Sequence, residues 1–344
     1  MEAHGRLVPE PGKVAVIIPA FNSGPHLDQA LASVAGQTVP PGAVVVVDDC
    51  SEDDTADRAR RWQDRLPIEV IRQKKNRGPG VARHRAIQAS TAPFLAMLDA
   101  DDLFLPDHLE CMAAAHAVAP GLVSTQELSW SPGVSLTQLP GPRPAPRKSS
   151  ELSALLHHNF INFPLFSRDL YELAGGFGDQ YYCEDWDLWI RMVRAGARVT
   201  MVSHPTAIHR VHARSLTFDA ARTAQHSEAF LSEALGTVQS PAEAAAARAG
   251  LQAVRGKLSF YRATELVARG DTRQARRVAW GGLPGGGLRS TAGLLALALA
   301  PAAAARLERL TRRYRLPLGA YEPADDTPPR SHTGGASTDP GRRD

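Results

Sequence analysis

The chain has 344 residues, 43% of them hydrophobic and 22% charged, with a formal net charge of +3. That composition fits one large globular domain, or one and a half, and excludes both a disordered chain and a strongly basic nucleic-acid binder. The three cysteines, Cys50, Cys111 and Cys183, form no CxxC pair, which argues against a disulfide framework and for a reducing, cytoplasmic setting.

In chain order, MEAHGRLVPEPGK (residues 1–13) is a charged, proline-bearing lead with no apolar run, unlike a signal peptide. VAVIIPA (14–20) is a continuous apolar run that reads as a buried strand. Leu27, Ala30, Leu31 and Val34 then follow the spacing of one helix face, with Pro25 suited to its first turn. AVVVV (43–47) is a second strand, 55–66 a charged helix, IEVIR (68–72) a third strand, 80–90 a small-residue helix and FLAML (94–98) a fourth strand. Continuous apolar strands alternating with helices predict an α/β fold with a mostly parallel sheet covered on both faces. Beyond it, 106–119 reads as helix, 122–128 as strand, 131–149 as a Pro/Gly-rich loop, 152–158 and 187–195 as helices and 199–202 as strand. From 220 to 322 the chain is Ala- and Arg-rich and helical, with one hairpin turning at Gly270-Asp271, and 323–344 has a disordered composition. No stretch reaches the roughly 18–20 apolar residues that span a bilayer; the nearest, Ala292 to Ala305, is broken by Pro301.

Ligands of open parallel sheets bind at the carboxyl ends of the strands. Here those ends are polar: Pro19-Ala20-Phe21-Asn22, Asp48-Asp49-Cys50-Ser51 and Asp99-Ala100-Asp101-Asp102. Alternate carboxylates after a strand can share one hard divalent cation, which can also take two oxygens of a diphosphate and stabilise it as a leaving group. The bland alternative is an acidic turn, with Asp102 capping a helix that begins at Leu103. Asp48 and Asp49 can accept from the N–H of a base or from a ribose hydroxyl, or can serve as a helix entry. NRGPGVARHRAI (76–87) sets glycines, Arg83 and Arg85 at a strand-to-helix junction, where anions are favoured. In YYCEDWDLWIRM, aromatic residues surround Glu184 and Asp185. Desolvation raises carboxylate pKa values and strengthens a base; alternatively these acids only match the dipole of a helix begun by Asp187. His209 and His212 are a metal-shell candidate or ordinary histidines.

Taken together, VAVIIPAFN, VVVVDDCSEDDT, NRGPGVARHRAI, FLAMLDADD, GGFGDQYYCEDWDLWIRM and HRVHARSLT resemble, in order, family 2 of the glycosyltransferases, inverting enzymes with the Rossmann-like GT-A fold. The resemblance covers Val14 to Thr217 and implies a catalytic domain over 14–219 with a helical C-terminal extension. It implies hexosyl transfer from a nucleoside diphosphate sugar, UDP by default, to a hydroxyl acceptor in surface-polysaccharide or glycoconjugate synthesis. By that resemblance Pro19, Ala20, Phe21 and Asn22 line the nucleotide pocket, Asp48 or Asp49 reads the base, and Arg83 lies near the nucleotide. Asp99 and Asp101 form the Asp-x-Asp motif for Mn2+ or Mg2+, with His212 as a metal or diphosphate contact. Asp185 is the catalytic base, with Glu184 beside it. Cys50 stands where the family usually has glycine, Pro79 stiffens the loop before Gly80, and no multi-span membrane region follows, so single-sugar transfer is expected. A nucleotidyltransferase of related fold needs a Gly-rich, Lys-bearing loop that VAVIIPAFNSGPHL lacks. A non-catalytic nucleotide-sugar-binding relative would lose carboxylates that are intact here. Segment 255–315 carries 13 Lys or Arg against 3 acids, which suggests peripheral contact with an anionic membrane face or, equally, a soluble helical cap.

Overall fold

The computed structural model describes residues 12–130, 151–212, 215, 219–283, 294–295 and 298–300. Its centre is an eight-stranded sheet in the order β3-β2-β1-β4-β7-β6-β8-β5. The strands are β1 (Val14–Ala20), β2 (Ala43–Asp48), β3 (Ile68–Arg72), β4 (Phe94–Met97), β5 (Leu103–Phe104), β6 (Gly121–Trp130), β7 (Leu165–Ser167) and β8 (Arg198–Arg210). β1 to β4 are mutually parallel, β7 runs against β4 and β6, β8 runs parallel to β6, and β5 runs against β8. The mostly parallel sheet expected from the apolar runs is therefore present, with two reversed strands added.

All seven residues of β1 are buried, because successive side chains point to opposite faces and both faces are covered. Val14, Val16 and Ile18 pack with Leu27, Leu31 and Val34 of α1 (Gly24–Ala35) and with Leu109 and Met112 of α4 (His108–Val118). Ala15 and Ile17 pack on the other side with Ala82, Ala86 and Ile87 of α3 (Pro79–Ala89) and Trp186, Leu188 and Trp189 of α7 (Glu184–Arg194). The remaining helices are α2 (Thr55–Arg60), α5 (Glu151–His157), α6 (Arg168–Leu173), α8 (Ala220–Ala234), α9 (Pro241–Ala268) and α10 (Thr272–Gly282). α9 and α10 form the expected hairpin: Gly270 turns the chain at φ 84°, and Asp271 caps α10 by accepting from the Gln274 N–H. Among the described residues no helix is long and apolar enough to cross a membrane. The loop at 131–149, most of the apolar stretch at 292–305 and the tail at 323–344 lie outside the described residues.

Three local expectations change. Asp102 caps no helix, because Leu103 and Phe104 pair with Ile208 and Ala207 of β8 as a strand. Its buried carboxylate instead accepts from the Arg210 N–H at 2.7 Å and lies 3.2 Å from His209 Nδ1. The helix after the acidic cluster starts at Glu184 rather than Asp187. β8 runs on to Arg210 through Ser203-His204-Pro205, where its register against β6 shifts; the proline sits at that irregularity, the place in a sheet that tolerates it. β7 and α6 left no readable pattern, being three and six residues long.

Strand order makes β1 the pivot of the fold. The chain leaves it on one side for β2 and β3 and returns on the other as β4. The crevice at the carboxyl ends of β1, β2 and β4 is thus a topological switch point, where open α/β sheets bind ligands. One expected outcome concerns its floor. Asp102→Ala strands the buried Arg210 N–H and should lower unfolding free energy by about 1–3 kcal/mol, read as a shifted urea midpoint with an unchanged slope.

Candidate active site

The carboxyl end of β1 is tied to that of β2. Pro19 and Ala20 are buried within β1, and the Ala20 carbonyl accepts from the Asp49 N–H at 2.8 Å. Asn22, at φ 50°, donates its N–H to Ser51 Oγ and accepts the Glu52 N–H on its side chain. Phe21 is left 46% exposed at the lip of the crevice, an apolar face open to a planar ligand.

The paired aspartates of β2 divide their work. Asp48 is wholly buried, accepts from the Ser51 N–H and lies 3.5 Å from Arg72 Nε. Asp49 reaches over β3 and accepts the N–H groups of Arg77 and Gly78 and the Gln73 side-chain amide, at 2.7 to 2.9 Å. Burial raises the Asp49 pKa, and these donors hold it back. Asp49 therefore shapes the Asn76–Gly78 loop. Gly78 is needed there twice over: its φ is 89°, and a Cβ would lie 2.7 Å from the Tyr181 ring. Tyr181, 40% exposed, covers this loop from the far side of the crevice.

Arg83, on the second turn of α3, joins the two acidic clusters. Its Nη2 donates to Asp99 Oδ1 and its Nη1 to Glu184 Oε1, both at 2.6 Å. The Arg83 and Glu184 side chains are only 11% and 7% exposed, whereas Asp99 is 48% exposed. Burial alone would lower the Arg83 pKa, but Asp99, Glu184 and Asp185 carry it upward, so the guanidinium stays charged. Gly80 makes the approach of α7 possible, since a Cβ there would sit 2.7 Å from Glu184 Cγ.

Asp101 faces the other way, with Oδ2 3.0 Å from His212 Nε2; His212 stacks on His26 at 4.7 Å between ring centroids. Burial opposes ionisation of Asp101, yet the hydrogen bond and charge of His212 bring its pKa below the ordinary value. Asp99 keeps one oxygen clear of Arg83. Asp99, Asp101 and His212 offer carboxylate oxygens and one imidazole nitrogen, the donor chemistry of a hard divalent cation such as Mn2+ or Mg2+, but their ligand atoms are not drawn together within 4.8 Å of one another here.

Asp185 follows in the first turn of α7. It accepts from the Trp186 N–H at 2.7 Å and from Asn159 Nδ2 at 3.1 Å. Its pKa is raised, first by burial, while Arg83 pulls it down and Asp99 pushes it up. Asn159 escaped the sequence reading, since it lies 26 residues before Asp185 in a segment with no motif, and Tyr181 entered it only as one of the aromatic residues around the acidic pair. Tyr182 stacks on His226 of α8 at 3.5 Å, with the Arg222 guanidinium 5.5 Å from the Tyr182 ring, and so attaches the C-terminal helices to the acidic turn. The structure thus brings Phe21, Asn22, Arg83, Asp99, Asp101, His212, Glu184 and Asp185 to one rim, and sets Pro19, Ala20, Asp48 and Asp49 behind it as supports.

A parallel α/β sheet whose switch point carries an Asp-x-Asp turn and an acidic helix start is the GT-A architecture. Residues 15–171 match the family described as Glycosyl transferase family 2. The chain is 43% identical over 101 residues to the succinoglycan biosynthesis protein ExoU of Rhizobium meliloti, a match covering 29% of each chain. The solved structure of Staphylococcus aureus TarS residues 1–349 with UDP-GlcNAc superimposes with a TM-score of 0.57 at 18% identity, covering 88% of this chain and 92% of that one. The mannosyltransferase PcManGT of Pyrobaculum calidifontis, with GDP-Man and Mn2+, superimposes with a TM-score of 0.58 at 22% identity, over 88% and 84% of the two chains.

Two expected outcomes test the ion-pair arrangement. Arg83→Met leaves Glu184 buried without its cation and should cost about 3–5 kcal/mol of stability, most of it regained in the Arg83→Met/Glu184→Gln double variant. Burial also pushes the Glu184 pKa up from 4.5 to about 7, against the pull of Arg83. The folded state therefore holds this proton more tightly than the unfolded chain does. The resulting stability is complete at acid pH and is lost as pH rises from 4.5 through about 7. The stability difference between wild type and Glu184→Gln, followed by urea titration across that window, should show this slope with that sign.

Proposed function

We propose that this protein transfers a hexose-type sugar from a nucleoside diphosphate sugar to a hydroxyl acceptor, with inversion at the anomeric carbon. The observation that carries the reading is the double ion pair of Arg83. It holds the Asp99 turn and the start of α7 on opposite sides of one crevice, as a donor site facing an acceptor site requires. The family match over residues 15–171 supports sugar transfer, and UDP-GlcNAc and GDP-Man in the two structural neighbours support a nucleoside diphosphate donor. UDP is our first choice of nucleotide. The likeness to a succinoglycan biosynthesis protein makes a growing surface polysaccharide, or its lipid-linked precursor, the favoured acceptor.

In this reading Phe21 and Asn22 border the nucleoside, and Pro19 and Ala20 form the strand end behind them. Asp49 shapes the Asn76–Gly78 loop against which the base lies, with Asp48 bracing the turn beneath. Asp99, Asp101 and His212 would hold Mn2+ or Mg2+, whose charge offsets the negative charge that builds on the departing diphosphate. Asp185 takes the proton of the acceptor hydroxyl as its oxygen attacks the sugar carbon. Asn159 aims that carboxylate, and burial raises its basicity. Glu184 is committed to Arg83, so it positions the guanidinium and leaves Asp185 as the base. A nucleotide-sugar-binding protein without activity is the second reading, favoured only by how closely the Asp49 loop is held.

Asp185→Asn should reduce transfer by roughly 10²–10⁴-fold while donor binding survives; unaltered turnover would refute the assignment. In wild type, the raised Asp185 pKa means that activity falls on acidification sooner than for an ordinary aspartate, and a pH–rate profile reads this directly. A thermal-shift panel of UDP-, GDP-, dTDP- and CMP-sugars, with and without Mn2+ or Mg2+, should show a metal-dependent shift for one nucleotide, lost in Asp101→Ala. No shift for any of them would favour the second reading.

We also propose cytoplasmic residence with peripheral membrane contact through 255–315. α10 presents Arg273, Arg276 and Arg277, and Trp280 beside them is 51% exposed. Each such charge near an anionic surface contributes about 1 kcal/mol. Salt-sensitive flotation with anionic liposomes is expected, and its absence would leave the helices as a soluble cap.

A further inference from the structure

A second cluster of metal-ligating side chains lies apart from the crevice, between α4 and β8. Asp107 is the N-cap residue of α4, Cys111 follows one turn later, and His204 projects from β8. Cys111 Sγ lies 3.6 Å from Asp107 Oδ2 and 3.6 Å from His204 Nε2, and that nitrogen lies 3.4 Å from the same Asp107 oxygen. Three donors of different kinds, from two separate elements, thus form a nearly equilateral triangle.

The size of the triangle is informative. Zinc binds sulfur at about 2.3 Å and nitrogen or oxygen at about 2.0–2.1 Å. Around a tetrahedral zinc, sulfur therefore stands about 3.5 Å from either lighter donor, and nitrogen about 3.3 Å from oxygen. The observed edges match one face of that tetrahedron to within about 0.1 Å.

The frame around the triangle is rigid. His108, next to Asp107, is fully buried, with Nδ1 2.8 Å from Thr206 Oγ1 on β8 and its ring stacked on Phe104 at 3.7 Å. Thr125 of β6 donates to the His204 carbonyl. The same β8 continues to His209 and Arg210, which meet Asp102. Asp107 and His204 have side-chain exposures of 44% and 52%, which leaves an approach for an ion and an open side for a fourth ligand.

We propose that Asp107, Cys111 and His204 bind one zinc ion that straps α4 to β8. The Cys111 thiol loses its proton to solvent as the sulfur–zinc bond forms, and His204 binds as the neutral imidazole. Among the described residues no other group of three His, Cys, Asp or Glu side chains comes this close. The donor set separates this site from the crevice: a thiolate and an imidazole select a borderline-soft ion, whereas the Asp99–Asp101 turn selects a hard one.

The test uses the full chain, stripped with chelator and titrated with Co2+ and then Zn2+. One equivalent of Co2+ should give thiolate-to-metal charge transfer in the near ultraviolet and the intense visible bands of a tetrahedral site, and Zn2+ should bleach both. Cys111→Ser should abolish the charge transfer, and His204→Ala should weaken zinc binding by roughly 100-fold. Asp101→Ala should change neither. Zinc should also raise the wild-type melting temperature but not that of His204→Ala, whose exposed position lets it fold. Absence of a charge-transfer band in wild type, or a band that survives Cys111→Ser, overturns the proposal. So does zinc affinity in His204→Ala equal to wild type.

Discussion

One guanidinium holds the crevice in shape. Arg83 comes from the second turn of α3 and is drawn in opposite directions by Asp99 after β4 and Glu184 at the start of α7. A buried charge is stable only when paired and hydrogen-bonded, so none of the three elements can move without stranding the others. The pairing also explains why α3 carries glycine at position 80, where a side chain would push Glu184 off its partner.

Around that centre the acidic residues fall into two kinds. Asp48, Asp49 and Asp102 are buried and committed to backbone N–H groups of neighbouring loops and strands. They build the floor and walls. Asp99 and Asp101 keep oxygens facing outward, and Asp185 keeps one oxygen on Asn159 at the edge of the crevice. The committed carboxylates keep the switch-point turns fixed at the ends of β1, β2 and β4, so the available ones are pre-positioned rather than assembled by a ligand. Preorganised charges of this kind lose little when a reaction's charge develops.

The C-terminal helices take part in the same arrangement. Trp186 donates its indole N–H to the Leu155 carbonyl and packs on Phe230, and Tyr182 stacks on His226. α8 thereby backs the acidic turn of α7 as well as the core beneath it. The aromatic residues around Glu184 and Asp185 desolvate the two carboxylates and also anchor α8 behind the acidic turn.

What the sequence determined by itself were the features set by near neighbours in the chain. Continuous apolar runs produced β1, β2 and β4 almost residue for residue, since a strand buried on both faces leaves that mark. The Asp-x-Asp turn, the Gly270-Asp271 hairpin and the acidic start of α7 were likewise legible from local composition. The tertiary structure decided everything that depends on distant partners. The three-residue β7 is a strand only because β4 and β6 flank it. Asp102 is a β8 anchor rather than a helix cap because Arg210, 108 positions away, brings its N–H to it. Asn159 and Tyr181 enter the crevice, and Asp107, Cys111 and His204 meet, through folding alone. A side chain's local propensity is written in its neighbours, whereas its charge finds its partner only when the chain closes on itself.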